Sequence, residues 1–262
     1  MKIALTTTFN KRIYDEYAHR FIDSYNWTFP VTVYSEEADL KEHVMSSITN
    51  THLLDKVKYQ FKFIHLNEAS PESVEFVERN SYRKPDNYRH DGVRFSYKVF
   101  SYTHFILNNS KKKDGLICID ADSVFHKPID HTWVQEHLHR DGKMMTFLGR
   151  NDKNPLALGA AGRKSYSECG FLYFNCNHDR INDYAEEMIR MYVSDDIYKE
   201  AEQQDCWIWD GVRKRFQDEG VENYDIGDNQ WGHVQARSVL ANVYDHTKGN
   251  RKVTGRSPER KA

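Results

Sequence analysis

The sequence is short of most features that would place it quickly. No apolar run approaches the length of a membrane span. The opening MKIALTTTFN carries one lysine and no long apolar stretch, so it does not read as a signal peptide. The four cysteines, Cys118, Cys169, Cys176 and Cys206, form no Cys-x-x-Cys pair. Two of them sit in strand-like apolar runs, where a free thiol packs as a small hydrophobe. They read as reduced, and the compartment as cytoplasmic. The formal net charge is only −2, so no global basic field argues for a nucleic-acid partner or an anionic membrane. There is no internal repeat. The turn after the first apolar strand, TTTFNKR, has no glycine, which excludes a glycine-rich phosphate loop there.

What is present fits a globular chain. The 262 residues suit one large domain or two small ones and can bury a sizeable core. Hydrophobic residues make up 39% and charged residues 29%, which excludes a disordered chain. Aromatics reach 13%, with 16 tyrosines and five tryptophans, enough to line a pocket with rings or to fill a core.

Periodicity supplies the order of elements. Lys2 to Leu5 reads as a strand ending in Thr6-Thr7-Thr8. Residues 12 to 25 place Ile13, Tyr17, Phe21 and Tyr25 at fourfold spacing, a helix face. Strands are expected at 31–34, 61–66, 116–119, 144–148 and 171–174. Helices are expected at 91–109, 180–193 and 198–217. Strands alternating with helices predict an α/β domain with a mostly parallel sheet. Ligands of such sheets bind beyond the carboxyl ends of the strands. Residues 150–165, RNDKNPLALGAAGRKS, read as a mobile loop, and 255–262 as a flexible basic tail behind a single domain spanning 1–254.

One stretch stands out: LICIDADSVF, residues 116–125. Residues two apart on a strand share a face, so Asp120 and Asp122 project together from the end of a buried segment. Isolated carboxylates there are costly, which points to something positive between them. Two hard oxygen donors suit Mg²⁺ or Mn²⁺ carrying a diphosphate. The plainer reading is an Asp-x-Asp that caps a strand and a turn. A second stretch, HTKGNRK at 246–252, follows the strand-like SVLANVYD. His246 offers an imidazole, which favours Mn²⁺ over Mg²⁺. Gly249 lets backbone approach phosphate closely, and Lys252 can neutralise it. The plainer reading is a solvated basic tail.

Taken in order, these residues resemble a GT-A glycosyltransferase, a Rossmann-like fold, and within it the retaining, glycogenin-like family 8. The ordered set is Thr7 and Tyr14, then Asp120 and Asp122, then Gln204-Asp205 in EQQDCWIWD, then His246, Gly249 and Lys252. It spans almost the whole chain. The resemblance implies transfer of a sugar from a nucleotide-diphosphate donor, a UDP-sugar first, to a hydroxyl acceptor. It implies Mn²⁺ (or Mg²⁺) held by Asp120, Asp122 and His246, with Thr7, Thr8, Tyr14, Gly249 and Lys252 on the donor. It also implies a cation on the helix before the metal strand, where Arg94 and Lys98 stand i and i+4 on one face. Gln204 and Asp205 fall where the family places residues beneath the anomeric carbon. Where relatives carry an Asn-Ala-Gly-like turn, this chain reads Ser167-Glu168-Cys169-Gly170, so Glu168 joins the catalytic candidates.

The bland readings run alongside. Asp205 could cap its helix. Trp207 and Trp209 are expected in the core rather than as a sugar wall. His126, His131, His137 and His139 are expected on the surface, without zinc-site spacing. A nucleotidyltransferase or nucleotide-sugar hydrolase would use similar carboxylates on a similar sheet. A binding module that has lost catalysis is disfavoured by the intact residue set. The acceptor is a glycan or other hydroxyl compound, with a hydroxymethylated DNA base less favoured.

Overall fold

The computed structural model describes residues 1–150, 166–227 and 233–258. Its centre is a seven-stranded sheet in the order β3-β2-β1-β4-β7-β6-β8. The strands are β1 (Ile3–Thr8), β2 (Val31–Ser35), β3 (Phe61–His65), β4 (Gly115–Ile119), β6 (Met145–Leu148), β7 (Glu168–Asn175) and β8 (Tyr224–Asp225). All neighbouring pairs are parallel except those of β7, which runs against both β4 and β6. A separate antiparallel ribbon joins β5 (Ser123–Phe125) to β9 (Tyr244–His246). The expected α/β architecture with a mostly parallel sheet is the observed one.

The sheet divides two apolar layers, and β4 shows how sequence period does this. Leu116 and Cys118 pack on one side, Ile117 and Ile119 on the other, and all four are fully buried. One layer is closed by α5 (Leu66–Ala69), α6 (Pro71–Asn80), α7 (Gly92–Asn109), α9 (Ile181–Val193) and α10 (Asp205–Asp218). The other is closed by α2 (His19–Ser24), α3 (Leu40–Ser47), α4 (Thr51–Gln60) and α8 (His131–His137).

Several expectations need correction. The helix expected over 12–25 is interrupted: α1 (Lys11–Ile13) runs into a π-helical turn, Tyr14–Ala18, before α2. The stretch SVLANVYD is not one strand. Val239–Asn242 forms a 3₁₀ turn, capped by the Ser238 hydroxyl, which accepts from Leu240 N at 3.2 Å. The helix expected over 198–217 begins at Asp205. His139 is buried, with Nδ1 2.9 Å from the Tyr173 hydroxyl, not on the surface. Trp207 and Trp209 are core residues as expected, 2% and 1% exposed. The loop expected over 150–165 lies, but for Arg150, outside the described residues. The tail expected over 255–262 is described only to Pro258, and Ser257 within it is fully buried, its N–H donating to Asp245 Oδ2 at 2.6 Å.

Candidate metal centre

Strand order dictates where the site falls. The chain moves from β1 to β2 on one side, then returns to place β4 on the other side of β1. The carboxyl ends of β1 and β4 therefore flank a topological switch point, the usual ligand site of such sheets. Thr8 ends β1, and Asp120-Ala121-Asp122 follows β4 directly. A cleft of about 540 Å³ opens here, lined by Thr8, Tyr17, Arg94, Lys98, Asp120, Asp122 and Lys252 among others.

The ribbon completes the centre. Pairing of Ser123 with His246 sets the imidazole beside Asp122, across 124 positions of sequence. His246 Nε2 lies 2.9 Å from Asp122 Oδ1 and 3.5 Å from Asp120 Oδ2. One ligand atom from each of the three lies within 4.8 Å of the others, the one such cluster among the described residues. The His246 ring is 1% exposed, yet neither nitrogen makes a well-directed hydrogen bond. Two carboxylate oxygens and an orphaned imidazole nitrogen aimed at one point fit a divalent cation of borderline softness.

Basic side chains hold the carboxylates in place. Lys98, on α7, donates to Asp120 Oδ1 at 2.6 Å and to Asp205 Oδ2 at 2.5 Å. It also donates to the Cys169 carbonyl at 2.9 Å. Lys252 Nζ lies 3.0 Å from Asp122 Oδ2. Burial opposes ionisation of both Asp120 and Asp122, but the facing cations win. Lys98 then His246 hold Asp120 below the usual carboxylate range. His246 and Lys252 do the same for Asp122. Burial pushes the His246 pKa down, Asp122 and Asp120 push it up, and the net is a rise to about 9.

Glu168 begins β7 at 1% exposure. Burial opposes its ionisation, but Lys248 and then Arg150, with which it pairs, outweigh burial and hold its pKa well below the ordinary range. The register of β6 against β7 shifts between Thr146 and Leu148, an irregularity that re-aims the start of β7.

The other candidates fall as follows. Asp205 is 5% exposed at the N-terminus of α10; it does not line the cleft itself but meets Lys98, which does. Gln204 turns its amide to the Glu202 carboxylate and does not line the cleft. Thr7 is buried behind the cleft, while Thr8 lines it. Arg94 is exposed at the rim. Gly249 sits at φ 57°, the left-handed region that favours glycine. Tyr14 is not in the cleft. It faces a second cavity of about 420 Å³ beyond the π turn, its hydroxyl 2.8 Å from Ser47 Oγ. Tyr17 takes the place in the cleft, with Lys252 Nζ 4.2 Å from its ring centre. The signal that could have found it is the helix face itself, on which Tyr17 stands with Ile13, Phe21 and Tyr25.

No protein-family model and no curated protein matches the chain. Solved structures do match. The apo form of mouse xyloside xylosyltransferase 1 aligns at TM-score 0.53 and 12% identity, over 87% of this chain and 86% of that one. The mannosyltransferase Ktr4p from S. cerevisiae aligns at TM-score 0.48 and 10% identity, over 94% and 70%. The glycosyltransferase GlyE of Streptococcus pneumoniae TIGR4 aligns at 0.44 and 11%, over 86% and 45%. The mouse structure covers nearly all of both chains, so the architecture of this protein is that of a GT-A-like glycosyltransferase, with its acidic pair at the switch point of the sheet.

Proposed function

We propose that the protein is a metal-dependent glycosyltransferase of the glycogenin-like kind, which moves a sugar from a nucleotide diphosphate to a hydroxyl acceptor with retention of configuration. The observation that carries this reading is the convergence of Asp120, Asp122 and His246 on one point, beside Lys252 and against the cleft that Asp120, Asp122 and Lys252 line. The shared fold supports it.

A divalent ion held by these three, Mn²⁺ by the mixed oxygen–nitrogen donor set, supplies Lewis-acid stabilisation of the charge that grows on the departing diphosphate. Lys252 adds a fixed ammonium on the same side. Gly249, with its left-handed backbone, lets the chain approach phosphate where a side chain would intrude. Tyr17 and Thr8 wall the donor, and Arg94 stands at the rim. Lys98 clamps Asp120 to Asp205, so the carboxylate beneath the reacting carbon keeps a fixed place relative to the metal ligands. Gln204 is committed to Glu202, which leaves Asp205 as the residue we assign to the sugar hydroxyls. A UDP-sugar is the first donor to try; a glycan or other hydroxyl compound is the acceptor class, with no feature favouring nucleic acid.

The test begins with Mn²⁺-dependent hydrolysis of a panel of nucleotide sugars without acceptor. Asp122→Asn should keep the fold and lose at least about a hundredfold in kcat/KM, because several kcal/mol of charge stabilisation depend on the ion. Unchanged metal-dependent turnover in that variant would remove the metal reading. Proton NMR of the first-formed glycoside then reads the stereochemistry, and an inverted anomer would exclude the retaining mechanism.

A further inference from the structure

We infer that Glu168 is a positioning residue of the metal centre, holding His246 through Nδ1 so that Nε2 faces Asp120 and Asp122. The inference rests on the metal reading above.

The argument starts from the orphaned ring. A neutral imidazole that gives Nε2 to a cation carries its proton on Nδ1, and a buried N–H needs an acceptor. Among the described residues, Nδ1 has no hydrogen-bond partner. The carboxylate that faces it is Glu168, with Oε1 at 4.0 Å. A closure of about 1 Å makes that an ordinary hydrogen bond.

The ring has little freedom to turn elsewhere. A Cβ added at Gly170 would stand 2.1 Å from His246 Cε1 and 2.4 Å from Nδ1, so the ring lies flush against the β7 backbone. Glu168 and Gly170 are two apart on that strand. Gly170 N donates to the same Oε1 at 3.2 Å, which fixes the oxygen beside the ring. Lys248 and Arg150 compensate the charge, so a carboxylate can stay where only 1% of the residue is exposed. The arrangement is a carboxylate behind a ligating histidine, built from a β7 residue and a β9 residue. It assigns Glu168 a role through His246 rather than on the sugar.

The experiment titrates Mn²⁺ into the metal-free protein and reads free Mn²⁺ by electron paramagnetic resonance. The informative variant is Glu168→Gln combined with Lys248→Met, which removes one charge of each sign. A change in affinity then reports the carboxylate acceptor rather than the local net charge, and Arg150 keeps the glutamine amide oxygen as a partner. Apparent Kd should rise tenfold to a hundredfold. Lys248→Met alone should bind at least as tightly as the wild type, since Arg150 still holds Glu168. A double variant that binds like the wild type would overturn the Glu168 assignment and leave the metal centre standing. A wild-type protein that takes up no Mn²⁺ would overturn the metal reading itself. Should the double variant fail to fold, proton NMR of the wild type with Zn²⁺ decides. A slowly exchanging, downfield Nδ1–H on His246 supports the assignment, and one that exchanges freely with water overturns it.

Discussion

Tyr17 and Tyr14 are three positions apart, and the π turn between Tyr14 and Ala18 sends one ring to the cleft and the other to its back. Tyr17→Ala should raise the donor KM about tenfold, the loss of one ring contact with its stacked ammonium. Tyr14→Phe should leave it unchanged, because its hydroxyl meets only Ser47 among the described residues, at 2.8 Å; steady-state kinetics with the best donor compares them. A single π turn leaves no trace in a pattern of apolar spacing, which is why fourfold spacing could name the helix but not the ring that reaches the site. Asp120 and Asp122 were legible for the opposite reason, since two charges after four buried apolar residues demand a partner. His104 carries a second residue-scale prediction. Burial lowers its pKa below 6.5, Glu72 opposing and Lys62 assisting, and Tyr34 Oη lies 2.8 Å from Nδ1. The folded state therefore prefers the neutral ring. Its contribution is present above the unfolded pKa and is lost as pH falls through about 6.5 toward the folded value. His104→Gln keeps a partner for Tyr34 but cannot titrate. Between pH 7.5 and 5.5 its melting temperature should fall less than that of the wild type, and equal falls would exclude His104 as a source of acid sensitivity.

The element that matters most is the smallest. The ribbon of β5 and β9 has three residues on each side, yet it alone brings His246 to the acidic pair. It is held from several directions. Thr247 donates to the Asp122 carbonyl from N and Oγ1, each at 2.8 Å. His233 Nε2 lies 2.8 Å from the His246 carbonyl, and Ser257 N donates to Asp245. A chain cut after Gly255 loses the Ser257 donor and leaves the Asp245 carboxylate buried at 2% exposure without that partner. Chemical denaturation should show a loss of about 1–3 kcal/mol. Mn²⁺ affinity should fall in parallel, because the residue before His246 has been loosened. Full stability in the shortened chain would mean that this anchor does not hold the ribbon. Sequence pattern had little chance of finding the ribbon, since three-residue strands carry no period and the 3₁₀ turn before β9 is as apolar as a strand. The long strand β4 was legible because burial on both faces makes a continuous apolar run.

At the scale of the whole molecule, alternation of β and α segments gave the layers and the mostly parallel sheet, while strand direction was not readable. Nothing in the residues of β7 distinguishes an antiparallel strand from a parallel one, because both faces are buried in either case. Nor could spacing show that Glu168 would be met by cations as far apart in the chain as Arg150 and Lys248. That dispersal has a consequence for how the protein is made. Ser123 pairs with His246, and Arg20 reaches the Lys252 carbonyl across 232 positions. On a ribosome, β4 and the acidic pair emerge long before the imidazole and ammonium that neutralise them. Until then the edge of β5 has no partner, and of the cations that face the acidic pair only Lys98, on Asp120, has been made. Closing so long a loop is entropically costly, so the pairing of β5 with β9 is expected among the last contacts to form. The acidic pair thus meets its imidazole and its second ammonium only after Lys252 has been synthesised.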